Sequence, residues 1–219
     1  VYDGVTLNND GIFNNDVGGQ VHDGAVVHDG TFTNDGTVYG DASNIAITQD
    51  GGQVDNSGSL AGSADVSGTG IFTNTGTVNH NVTVSGTGEF DNNGGNVWET
   101  ATVTGGTFNN NDGYVGGGAL VDGATAVFNN TNGGDVYGLV TLNNGVFTND
   151  DSFVNDGVTQ SGGTFNNTDG GVVSGGATVS GGVFNNGLAT GDDATVDTVT
   201  LSNTGTVNNY DEVTGDVHQ

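Results

Sequence analysis

The chain has 219 residues, with 26 Asp and Glu, no Lys or Arg, and a formal net charge of −26. Pro, Cys and Met are also absent, while Gly reaches 43. With no cation to neutralise phosphates, nucleic acid binding and adsorption to anionic lipid are excluded; with no Cys, disulfides and thiolate metal sites are excluded as well.

The missing Met leads to the expectation of a processed product or an internal segment. No signal peptide or membrane-spanning run is expected, because every apolar stretch is short. With histidine neutral, no salt bridge within the chain is expected either.

One phrase recurs from the first residues onward: glycine, any residue, Phe or Val, any residue, Asn. It reads Gly11-Ile12-Phe13-Asn14-Asn15 near the start and Gly163-Thr164-Phe165-Asn166-Asn167 late in the chain. The anchors are Phe13, Phe32, Val54, Phe72, Phe90, Phe108, Phe128, Phe147, Phe165, Phe184 and Val207. Two residues after each stands Asn15, Asn34, Asn56, Asn74, Asn92, Asn110, Asn130, Asn149, Asn167, Asn186 or Asn209. Gly stands two residues before every anchor but Phe128, where Ala126 replaces it. Intervals run from 18 residues (Val54 to Phe72) to 23 (Phe184 to Val207). A unit so short cannot bury a core alone and must stack on copies of itself.

Upstream of the anchors lies an apolar-x-apolar triplet: Val5-Thr6-Leu7, Ile45-Ala46-Ile47, Val82-Thr83-Val84, Ala101-Thr102-Val103, Val140-Thr141-Leu142, Ala177-Thr178-Val179 and Val199-Thr200-Leu201. A third column opens each unit: Val1, Val21, Val38, Leu60, Val78, Val97, Val115, Val136, Val172, Val196 and Val213. Alternation with period two predicts strands, and the Gly, Asn and Asp between them suit left-handed corners. Insertions around Asp41 to Asn44 and Leu188 to Thr195 are expected in corners.

The anchor and the Asn two positions on share one parity, so both are expected to face inward. A lone buried amide is costly; stacked in register, each Asn bonds the Asn above and below, as in cross-β amide ladders. The expected fold is therefore all-β: one continuous β-solenoid (β-helix) over residues 1–219, with about 11 rungs of roughly 19 residues, three short strands per rung and an internal Asn ladder. At about 4.8 Å per rung the rod measures on the order of 50 Å.

Chemistry-bearing residues are sparse. The carboxylate pairs Asp150-Asp151 and Asp192-Asp193 fall in expected corners, and a general base of the Arg or Lys type is absent, so no enzyme is expected. His22, His28, His80 and His218 are scattered without zinc spacing. No cofactor is required. Calcium is a candidate ligand for corner Asp and Asn oxygens, although Gly51-Gly52 and Gly170-Gly171 do not continue into a β-roll nonapeptide. The middle triplet position forms a Thr column, an ice-binding candidate, of Thr6, Thr83, Thr102, Thr141, Thr159, Thr178 and Thr200; Val26, Ala46, Asp65 and Leu120 interrupt it. An outward aromatic column of Tyr2, His22, Tyr39, Trp98 and Tyr137 follows the opening Val and is a candidate contact for glycans or a neighbouring fibre.

The phrases Val103-Thr104-Gly105-Gly106-Thr107-Phe108-Asn109-Asn110 and Val179-Ser180-Gly181-Gly182-Val183-Phe184-Asn185-Asn186 resemble the passenger repeats of bacterial autotransporter adhesins and haemagglutinin-type exoproteins. The resemblance covers almost the whole chain, although those families generally keep some Lys or Arg. It implies a secreted, rod-like β-helix at the cell surface, used for adhesion, aggregation or matrix building, and it carries no site residues with it. The expected role is structural, with the chain itself as partner through head-to-tail stacking and lateral bundling. Glycan, calcium or ice binding is the alternative. Val1-Tyr2-Asp3-Gly4-Val5-Thr6-Leu7 and Val213-Thr214-Gly215-Asp216-Val217-His218-Gln219 carry the repeat pattern to both ends, so open terminal rungs are expected.

Overall fold

The computed structural model describes residues 1–189 and 191–219; Thr190, inside the insertion expected at 188–195, lies outside them. Among the described residues there is no helix, and the strands pair in parallel, each with its counterpart one coil away. The result is a β-solenoid of eleven complete turns.

A typical coil runs through a triplet strand (Val82–Val84), an anchor strand (Glu89–Asn93) and a two-residue short strand (Asn96–Val97). In two coils the corner between the first two strands is itself extended, and single strands Ala119–Thr131 and Val140–Asp150 replace the pair. Corners elsewhere use left-handed Asp and Asn, among them Asp23, Asp112, Asn132 and Asp169, whose φ values lie between 46° and 63°. These side chains tolerate that conformation better than most.

Register is strict where the sequence phrase is strict. Every anchor lies beside the next, from Phe13 against Phe32 to Phe184 against Val207, and every Asn of the phrase follows in step. A slip by one residue would turn Phe and Asn outward on the whole strand. The interior holds the first and last residues of the triplet, the anchor, its Asn and the short-strand Val, and from Phe32 to Phe184 the anchors are wholly buried. Seven consecutive Phe rings, 72 to 184, stack at centroid distances of 4.7 to 5.0 Å. That spacing is the rung repeat itself. Val54 separates this stack from the Phe13–Phe32 pair at 5.3 Å.

Two columns differ from the sequence expectation. In the third coil the paired triplet is Ile47-Thr48-Gln49, aligned with Ala25-Val26-Val27, and not Ile45-Ala46-Ile47. The insertion at Asp41–Asn44 ends in a bulge, where Ser63 pairs with Ile45 but Ala64 pairs with Ile47. Apolar alternation favoured the wrong frame because the true third residue is a buried Gln. The short-strand column passes through Val154 and Val173, both wholly buried, whereas Val172 pairs with Phe153 on the outer face. Two adjacent valines offer no hydropathy contrast, so only register separates them.

The terminal coils are less covered. Phe13 and Val207 are only half-buried, Asn209 is exposed, and Val1 and Val217 are 52% and 64% exposed.

Candidate functional site

The longest polar feature is the inner Asn ladder. Each Nδ2 donates to the Oδ1 of the next coil, from Asn15 to Asn34 at 2.7 Å through to Asn186 to Asn209 at 2.9 Å. All ten links run in one direction. The second amide proton closes the corner: Asn92 donates to the Gly95 carbonyl and Asn110 to that of Gly113, each at 2.9 Å. From Asn34 to Asn186 the ladder amides are 0–2% exposed. Buried amides so paired cost little, and aligned chains of them reinforce one another. A Cβ on Gly113 would lie 2.3 Å from Asn92 Nδ2 and 2.5 Å from Asn110 Oδ1, whereas Ser152 and Ala194 supply the equivalent carbonyls to Asn149 and Asn186.

A second, half-exposed amide column lies beside it on the outer face. Asn109 donates to Asp91 Oδ1 at 2.7 Å, Asn129 to Asn109 at 2.8 Å, Asn185 to Asn166 at 2.7 Å and Asn208 to Asn185 at 2.8 Å. Here each amide donates to the preceding coil, opposite to the inner ladder, so the two sets of dipoles oppose. The interior holds two further amides that hydropathy gave no reason to place there, Gln49 and Gln160, both wholly buried. Their Nε2 atoms donate to corner and strand carbonyls, such as Ile71 and Val183 at 2.9 Å.

The outward aromatics form two different groups. Tyr2, His22 and Tyr39 stack face to face at 5.2 and 4.7 Å with 9° between planes. Trp98 and Tyr137, expected in the same column, are two coils apart with Gly116 between them, and Tyr114 bridges them from the other side of the short strand. Its ring lies 5.5 Å from Trp98, tilted by 63°, and 6.4 Å from Tyr137, tilted by 40°. Phe153, 46% exposed, extends this group by one coil. Tyr114 and Phe153 precede the buried Val where Trp98 and Tyr137 follow it, and a reading along one column misses them. Both flanking positions of a two-residue strand point outward.

Among the described residues the surface carries no enclosed pocket, and no group of three or more His, Asp or Glu is arranged to hold a metal ion. Asp151 and Asp193 adopt left-handed corner conformations with φ of 48° and 56°, while Asp192 Oδ2 accepts from the backbone N–H groups of Leu188 and Ala189 at 2.7 and 3.2 Å. Burial, with Asp169 and Asp151 close by, raises the Asp150 carboxyl above its ordinary value. Burial also raises Asp65 and Asp135, each partly offset by a hydrogen bond, from Thr83 and Asn155 respectively. Tyr114 is raised by burial and by the nearby Asp135.

Two histidines meet carboxylates: His28 Nδ1 lies 2.9 Å from Asp50 Oδ1, and His80 Nδ1 lies 3.1 Å from Glu99 Oε1, contacts that are ion pairs only when the imidazole is protonated. His22 is taken up in the aromatic stack, and His218 pairs with Thr200 in the Thr column. That column gains Thr48 in place of Ala46, and Val26, Asp65 and Leu120 still interrupt it.

In comparison with known proteins, no family model, no curated protein and no solved structure matches the chain. The likeness to adhesin repeats rests on the repeat phrases alone.

Proposed function

We propose that this chain is a structural rod of an extracellular or cell-surface fibre, matrix or adhesin stalk, built by stacking of solenoid coils. The observation that carries this reading is the one-way inner ladder. A periodic hydrogen-bonded column has no intrinsic length. Each interior member accepts from one coil and donates to the next, so the same bonding serves every further coil that is stacked in register. The stacked Phe rings continue the apolar column from coil to coil in the same way. Stacking of one copy's last coil on another's first is a heterologous contact that propagates. A chemical role fits poorly with these residues, because the paired carboxylates lie in corners and, among the described residues, no pocket gathers them.

Negative-stain electron microscopy of the purified chain at moderate salt tests the proposal. Unbranched filaments, whose length grows with protein concentration, are the expected outcome. A monodisperse 21.8 kDa monomer at all concentrations would remove head-to-tail assembly.

A further inference from the structure

We infer that the outer face around Trp98, Tyr114, Tyr137 and Phe153 is a binding platform for an extended, uncharged polysaccharide of β-linked pyranose rings lying along the solenoid axis. This goes beyond the fibre proposal and does not depend on it, since the four coils that build the platform are all within one copy.

The first argument is the arrangement. Across four successive coils the two outward positions of the short strand are Asn96 and Trp98, Tyr114 and Gly116, Asp135 and Tyr137, and Phe153 and Asn155. One side chain of each pair is aromatic, and it alternates from side to side. The other is an amide, a carboxylate or nothing. Trp98, Tyr137 and Phe153 are 53%, 56% and 46% exposed. The patch spans three coil spacings, about 14 Å, by the width of two residues, about 7 Å.

The second argument comes from the contrast with Tyr2, His22 and Tyr39. Those rings are stacked within 9° of parallel, so they cover one another's faces. The Trp98 and Tyr137 rings meet Tyr114 at 63° and 40°, which leaves ring faces open to solvent. An open aromatic face flanked by hydrogen-bonding side chains suits a pyranose, with its apolar C–H face and polar rim. Asn155 Nδ2 donates to Asp135 Oδ1, which fixes that carboxylate in the patch as an acceptor for sugar hydroxyls.

Charge and period select the occupant. With 26 acidic and no basic side chains, this lateral face repels uronic-acid polymers, nucleic acid and, without divalent ions, the side of a second copy. A peptide strand advances about 3.3 Å per residue, or about 6.6 Å between side chains on one face, and drifts out of step with rungs about 4.8 Å apart. An extended β-linked glycan advances by about one rung per ring and turns alternate rings over, which matches the side-to-side alternation.

The chain has a single Trp, so Trp98 emission reports on the patch directly. Cellohexaose, chitohexaose, hexagalacturonate and hexalysine are titrated into the intact chain, with binding read by fluorescence and by calorimetry. The neutral hexamers should bind and hexagalacturonate should not. Tyr137→Ala, read through Trp98, should weaken binding about tenfold. Trp98→Leu, read by calorimetry, should weaken it as much, while Tyr39→Ala should leave it unchanged. Circular dichroism melts confirm that each variant is folded; should Tyr137→Ala unfold, Phe153→Ser takes its place. The proposal is overturned by equal loss in Tyr39→Ala, by no response to either neutral glycan, or by Trp98-dependent binding of hexalysine alone. A concentration-dependent blue shift of Trp98 without a glycan response would assign the face to self-association and overturn it too.

Discussion

Asn109 and Asn110 are neighbours in one strand and head two amide columns that look alike in bond length. Asn110 links to Asn92 and Asn130 at 2.7 Å; Asn109 links to Asp91 and Asn129 at 2.7 and 2.8 Å. The columns differ in surroundings: Asn110 is wholly buried, while Asn109 is half-exposed. The inner position is Asn in every coil; the outer reads Asn14, Thr33, Asp55, Thr73, Asp91, Asn109, Asn129, Thr148, Asn166, Asn185 and Asn208. Water can replace a missing partner outside and cannot do so inside. The cost of leaving a group unpaired, more than the bond itself, keeps the inner column uniform.

The strongest way to break this contrast is to put a charge in each column. Asn110→Asp places a carboxylate among wholly buried neighbours with no cation in the chain to meet it. It should cost about 3–5 kcal/mol at neutral pH, and part of the loss should return in acid, where the protonated carboxyl again donates. Asn109→Asp sets a second carboxylate against Asp91 and should cost something, but less than the buried charge, because solvent and salt screen the outer face. Thermal melts of both variants at neutral and acidic pH decide the point. Similar destabilisation by the two would refute the difference in burial.

Removing the side chain is gentler. Asn110→Ala strands an Asn92 Nδ2 proton and the Asn130 Oδ1 acceptor, while the Gly113 carbonyl keeps the Asp135 N–H as donor; a buried polar group that loses its partner costs about 1–3 kcal/mol. Asn109→Ala should stay within about 0.5 kcal/mol. Chemical denaturation of the pair gives the comparison, and equal shifts would show that the facing of the strand is wrong.

The inner column was legible because its residue is both polar and invariant at a fixed offset from a large aromatic. No other parity buries Phe and leaves Asn paired. Where the inward residue broke the hydropathy rule, the frame was lost: buried Gln49 made Ile45-Ala46-Ile47 look like the better triplet. Where both neighbours obeyed the rule, as at Val172 and Val173, the sequence could not choose. The aromatic platform was half visible. Trp98 and Tyr137 stood out in one column, but Tyr114 and Phe153 share their face only because a two-residue strand flanks its inward side chain with two outward ones.

Acidity acts mainly on the outer surface. The carboxyls of Asp65, Asp135 and Asp150 are raised above 3.8, each chiefly by burial. Between 3.8 and the raised values the folded chain therefore holds more protons than the unfolded one, and stability rises as pH falls through that window and levels off below it. Neutralisation of the remaining carboxylates relieves repulsion in the same direction. Calcium or magnesium should imitate acid, raising the melting temperature and promoting lateral bundling at concentrations where sodium does neither. A melting temperature that falls steadily from pH 7 to pH 4 would contradict the acid effect. No change on adding EDTA at moderate salt would remove divalent bridging.

The smallest expected effect repairs the outer column. Thr148 stands between Asn129 and Asn166, and the hydrogen-bonded run Asp91–Asn109–Asn129 is separated there from the run Asn166–Asn185–Asn208. In Thr148→Asn the new amide would donate to Asn129 Oδ1 and accept from Asn166 Nδ2, following the direction of its neighbours. Each such bond is worth about 0.5–1.5 kcal/mol net at most. Solvent competes at this half-exposed position, and Thr is the better strand former. The expected gain is therefore about 0.5 kcal/mol, or about 1–2 °C in melting temperature for a chain of this size. Scanning calorimetry resolves that difference. A gain as large as the loss from Asn110→Ala would mean that the outer column is as dry as the inner one, and the contrast between the two would fail.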